Sequence, residues 1–215
     1  DDQTVSAGIV SIADATHPSL QHFTLDNGLA VYLREDHSTP LAAIQLWYHV
    51  GTSHEPAGHT NLSHLLEHLI FEGSRKLEAG RYTQVIARLG GKANATTTDD
   101  ATAYDVLLPA ARLPIALEIM ADAMTGATFG QAEMERAVKA IEDERRLKVE
   151  NVPAQQAAER HMALAHGGSP YATATFGNPS DLSNLRLDMV RTWYQTWYRP
   201  NNATLVVVGA VDLPT

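Results

Sequence analysis

The order in which strand-like and helix-like patterns follow one another constrains this chain most. Near the start, "FTLDNGLAVYLRED" (23–36) sets Asn27-Gly28, a tight-turn signal, between apolar alternations, and "LAAIQLWYHVG" (41–51) reads as a buried strand. Two helical periods follow, over 61–71 and 80–91, the second stopped by paired glycines that suit a C-terminal cap. "KANATTTDDATAYDVLLP" (92–109) alternates small or polar with larger residues and predicts a two-stranded hairpin turning near Asp99-Asp100. Long helical patterns then cover 111–127, 131 to about 150, 154–166 and 181–197, before "NATLVVVGAV" (202–211) closes as a strand. Strands, then helices, then a returning strand predict an α+β fold, a largely antiparallel sheet with helices packed on it. The fold is expected over residues 21–215, with an extension over 1–20 that has no clear period.

A chain of 215 residues can bury a substantial core as one unit. Its balance is acidic, 16 Lys+Arg against 25 Asp+Glu, which excludes a phosphate-backbone partner that would need a basic face. No stretch approaches the ~18 to 20 apolar residues of a membrane span, so a soluble domain is expected. With no cysteine there is no disulfide framework and no thiolate site, and any zinc must be held by histidine and carboxylate. The start at Asp1, without Met or an apolar leader, fits a mature exported protein and gives a periplasmic or secreted location as the expectation.

The chemistry concentrates in "NLSHLLEHLIFEG" (61–73). At 100° per residue Leu62, Leu65, Leu66, Leu69 and Ile70 share one arc, the core-facing set, while His64, Glu67 and His68 share the opposite arc. Histidines at i and i+4 let two imidazoles grip one ion, and a carboxylate at i+3 reaches a water beside it. This H-x-x-E-H order is the inverted zinc-peptidase motif; the plainer alternative is an exposed polar helix face. The "HEPAGH" stretch offers His54 and His59 at a spacing one residue too long for the forward motif, and Pro56 with Gly58 breaks the helix that motif needs, so a plain loop is expected there. His161 and His166 have no partner spacing. Catalytic zinc wants three protein ligands, and beyond His64 and His68 the helical stretch 134–153 presents Glu142, Asp143 and Glu144 in succession.

Five ordered blocks carry a closer likeness: "TLDNGLAVYLREDHSTPLAAIQLWYHVGT", "HLLEHLIFEGS", "GGKANATTTDDATAY", "DERRLKVENVP" and "WYQTWYRPNNATLVVVGAVD". Over about residues 20–215 the chain resembles the N-terminal catalytic half of the pitrilysin/insulinase family of zinc peptidases, in the branch of the processing peptidases. The resemblance implies a Zn2+ cofactor on His64, His68 and a glutamate about 76 residues further on, which points at Glu144. An alignment anchored on "ER" at 135–136 would choose Glu142 instead. The family's supporting glutamate, seven residues before the third ligand, is replaced here by Ala137, with Glu135 as the nearby acid.

The resemblance further implies a zinc-dependent endopeptidase acting on peptides or unfolded protein segments, with Glu67 as the general base toward water. Substrate is expected as an added strand along the edge that contains Asn94, Ala95 and Thr96. Thr102 and Tyr104 are assigned to packing. A second, similarly folded half, on the same chain or a separate subunit, is expected to close over the peptide and supply an Arg and a Tyr, giving a dimeric or larger assembly. The alternative reading is a noncatalytic peptide-binding or scaffold subunit of the same fold.

Overall fold

The computed structural model describes residues 20–212; the extension expected over 1–20 lies, through residue 19, outside the described residues. Six strands form one sheet: β1 (Leu20–Thr24), β2 (Ala30–Glu35), β3 (Leu41–Tyr48), β4 (Lys92–Thr97), β5 (Thr102–Pro109) and β6 (Ala203–Gly209). Their spatial order is β1-β2-β6-β3-β5-β4, so the last strand in sequence sits inside the sheet. Only the β2–β6 pair is parallel; every other pair is antiparallel. The β1–β2 turn closes through Gly28 N–H to Leu25 O at 2.8 Å, with Gly28 at φ 88°, a conformation that glycine adopts without strain.

Alternation decides which face of the sheet is covered. Val31, Leu33, Ile44, Leu46, Tyr48, Tyr104, Val106 and Leu108 are buried, whereas Tyr32, Leu41 and Leu107, which point the other way, stay exposed. Helices pack on the buried side, α1 (Leu62–Ile70), α2 (Arg81–Arg88), α3 (Leu113–Gly126) and α4 (Gln131–Arg145, continuing into a π turn over Arg146–Glu150); α5 (Pro153–Ala165) buries no residue and lies against that π turn, and α6 (Pro179–Asn184) and α7 (Leu187–Trp197) return to the core. The α1 leucines and Ile70 are at most 3% exposed, so the core-facing arc read from the sequence is the arc that packs. Thr102 and Tyr104 are buried, in keeping with packing roles.

The helix expected over 181–197 is broken in two. Leu185 is extended, with ψ 140°, and buried in the core; this resets the helical phase so that Val190 and Trp193 reach the core as well. Among the described residues no helix is long and apolar enough to cross a membrane.

Candidate metal centre and active site

The start of α1 is set by two carboxylates from elsewhere in the chain. Asn61, at φ 77° and fully buried, precedes the helix without capping it through its own side chain. Glu55 accepts the backbone N–H groups of Asn61 at 2.9 Å and Ser63 at 2.7 Å. Asp181 accepts Thr60 Oγ1 at 2.8 Å. A carboxyl oxygen suits a helix N-terminus as an acceptor, since backbone N–H groups there lack partners within the helix. The "HEPAGH" stretch is a short 3-10 turn (Thr52–His54) followed by turns, and His54 accepts Gly51 N–H at 3.2 Å and packs its ring 5.2 Å from that of Trp197. Among the described residues its histidines join no group of three or more side chains that could hold a metal ion, and its glutamate caps the helix that follows.

The polar arc of α1 turns toward α4 and β4 and away from bulk water, and His64 is 4% exposed. The Nε2 atoms of His64 and His68 lie 3.3 Å apart. Glu144 Oε2, from α4, lies 3.4 Å from His64 Nε2 and 3.5 Å from His68 Nε2. Glu142 stands exposed on the same helix. Donor atoms at about 2.0 to 2.2 Å from a tetrahedral zinc are about 3.3 to 3.6 Å from one another, so this triangle has the edges such an ion requires. The donor chemistry agrees, because two imidazole nitrogens and a carboxylate oxygen, the donor types that zinc takes in a cysteine-free site, converge on one point.

A second carboxylate faces the pair: the donor atoms of His64, Glu67 and His68 lie within 4.8 Å of one another. The two glutamates are pushed in opposite directions. Hydrogen bonding with His64, helped by Lys148, holds the Glu144 carboxyl down to about 2. Burial raises the Glu67 carboxyl, against the opposing pull of Thr97 and His64. Burial, then His64, lowers the His68 imidazole, which keeps it in the neutral form that can ligate. Carboxylates separated in this way are the usual sign of one charged partner and one proton carrier.

A cavity of about 610 Å³ opens over these groups, lined by Phe71, Thr83, Ala93 to Thr97, Lys148 and Phe176 besides the four polar residues. β4 pairs with β5 on one side only and is the last strand of the sheet, so Asn94, Ala95 and Thr96 stand at its open edge. The acid expected near Ala137 is not supplied by Glu135, which is exposed and accepts Gln131 Nε2 at 3.1 Å, while Ala137 is buried in the core. Four residues at or behind the site were missed by the sequence reading: Glu55, Thr97, Lys148 and Phe176, whose ring lies 5.2 Å from that of His64. Lys148 had a signal, since it falls four residues after Glu144 on one helix face, and it forms an ion pair with Glu144.

A sheet covered by helices on one face, with a His-His-Glu cluster on that side, makes a candidate metal centre. The chain belongs to the insulinase family, peptidase family M16, whose description matches residues 30–177; the description "Peptidase M16 inactive domain" matches residues 184–215. It is 30% identical over 209 residues to the zinc protease PqqE of Helicobacter pylori, covering 97% of this chain and 47% of that protein. It is 26% identical over 201 residues to human cytochrome b-c1 complex subunit 1, covering 91% of this chain and 40% of that one. The crystal structure of a protease from Helicobacter pylori superposes with a TM-score of 0.86 at 30% identity, covering 90% of this chain and 46% of that chain. The first half of the periplasmic protease PqqL from Escherichia coli shares the fold, with a TM-score of 0.83 at 24% identity, over 90% of this chain and 43% of that one. The chain thus spans between about a fifth and about half of the length of the curated relatives it matches.

Proposed function

We propose that residues 21–215 form the zinc-binding catalytic half of an endopeptidase that hydrolyses peptides or unfolded protein segments. The observation that carries this reading is the triangle of His64 Nε2, His68 Nε2 and Glu144 Oε2, 3.3 to 3.5 Å on each edge, with the half-buried Glu67 beside it. His64, His68 and Glu144 would hold the ion. Bound there, zinc supplies Lewis-acid chemistry, lowering the pKa of water to about 7 and polarising a carbonyl. Glu144 is the better third ligand of the two carboxylates because it is nearer to both imidazoles and already charged. Glu67 is the better base, since burial keeps its proton affinity high and its position one residue before His68 brings it within reach of the attacking water. It takes the proton of that water and returns it to the leaving amine.

Asn94, Ala95 and Thr96 hold the peptide as an added strand on the edge of β4, through backbone groups that do not depend on substrate sequence. A second homologous half, covalent or separate, closes the cavity and supplies an Arg and a Tyr toward the developing oxyanion. Export is in keeping with the relative described as periplasmic. The other reading, a noncatalytic subunit of the same fold, is favoured by Ala137 and by the likeness to the cytochrome b-c1 complex subunit. Zinc stoichiometry in wild type and His68→Ala, followed by a peptide-hydrolysis assay with the partner half present, separates the two. One zinc per chain, lost in His68→Ala, together with hydrolysis supports the enzyme; wild type that takes up no zinc overturns it.

A further inference from the structure

We propose that Thr97 is a positioning residue for Glu67, an inference that rests on the function just assigned: its hydroxyl holds one carboxylate oxygen so that the other faces the attacking water. The Thr97 hydroxyl donates to Glu67 Oε2 at 2.5 Å and, among the described residues, is the hydrogen-bond partner that Glu67 has. The imidazoles on either side are committed to Glu144 and to each other, so neither orients the base. A glutamate with three side-chain torsions needs one such anchor to present a single oxygen.

The anchor itself is rigid. Thr97 is buried and pairs in register with Thr102 on β5, and its β-branched side chain has few rotamers available. The turn that follows is tied down from outside the hairpin: Thr52 N–H donates to Thr98 O at 3.1 Å, Ser53 N–H to Asp99 O at 2.8 Å, and Ser53 Oγ to Asp100 at 2.8 Å. Gly51 completes the contact, since a Cβ there would come within 2.2 Å of Thr98 O. Thr97 is next in sequence to Thr96, so the strand that receives the peptide also aims the base, and the distance between them is fixed by one strand's geometry. The alternation of "NATTT" gave a hint, because it turns Thr97 to the helix side, opposite Asn94 and Thr96.

The test uses the chain assembled with its partner half. Thr97→Val keeps the shape and removes the donor; kcat should fall about 10- to 100-fold with KM and zinc content unchanged. Thr97→Ser should stay within about threefold of wild type, because the donor is retained. Unchanged kcat in Thr97→Val, a loss of zinc, a raised KM with kcat intact, or a failure of Thr97→Ser to hold activity overturns the inference. If the valine variant does not fold, Thr97→Cys, a weak donor of similar size, takes its place, and equal kcat for the cysteine and serine variants is then the overturning result. Glu67→Gln run alongside separates the two levels. Hydrolysis surviving in Glu67→Gln sinks the assigned function, whereas a dead Glu67→Gln with a fully active Thr97→Val sinks the positioning role alone.

Discussion

Glu55 Oε1 accepts the backbone N–H of Ser63 at 2.7 Å, and Ser63 immediately precedes the first histidine of the candidate metal centre. A loop carboxylate therefore sets where α1 begins and, through the 100° step of the helix, the direction in which His64 and His68 point. Removing it should cost about 0.5 to 2 kcal/mol, the usual worth of a helix cap, and should weaken zinc binding with all three ligands intact. Urea unfolding and zinc titration of Glu55→Ala check both, and an unchanged zinc affinity counts against the capping role.

The same residue makes stability depend on pH. Burial pushes the Glu55 carboxyl up to about 7, against the pull of its two backbone donors. Its folded pKa lies above its unfolded one, so the native state holds the proton more tightly across that window. The stability it contributes is complete below the ordinary glutamate range and is lost as pH rises through about 7. Glu55→Gln should flatten that segment of the stability profile, measured as the urea midpoint from pH 4 upward. Parallel profiles for the two proteins would show that another group is responsible.

Glu67→Gln should keep zinc and lose about 10²- to 10⁴-fold in turnover, because the amide preserves shape and removes the proton acceptor. Loss of the ion from that variant would move Glu67 from base to ligand.

Glu144→Gln should weaken zinc binding well beyond the roughly 10- to 100-fold typical of outer partners, and Glu142→Gln should leave it untouched. Lys148→Met, which frees the second oxygen of Glu144, should fall within that outer-partner range. The reverse order for the two glutamates, read by competition with a chelator, would contradict the assignment.

Purified residues 1–215 should bind zinc alone and cleave unfolded peptides efficiently only with the partner half. A single missing oxyanion donor typically costs about 10²- to 10³-fold in turnover. Full activity in a monomeric sample without the partner would refute the requirement.

The hairpins, the α1 arc and the returning strand were legible because each is written in local periods. The α6–α7 break was not, because Leu185 leaves the helix in order to reach a core assembled from distant residues. Glu144 and Glu142 were both open from sequence, since the choice depends on how α4 is rotated against α1, a tertiary fact. Glu55 was hidden by reading "HEPAGH" for its histidines, and Thr97 by reading the edge strand for the backbone groups of Asn94, Ala95 and Thr96.

The open edge of β4 also determines what a partner must give up to reach it. A strand can be added only by a chain that is already extended, so under the proposed function a folded protein would have to open several residues before it met Glu67. With backbone groups making the contacts, selection falls on the local opening free energy of the target, and each ~1.4 kcal/mol of local stability protects a segment about tenfold. On the proposed function, an edge of this kind would discriminate between conformations, sparing a native protein and admitting the same sequence once it has come undone.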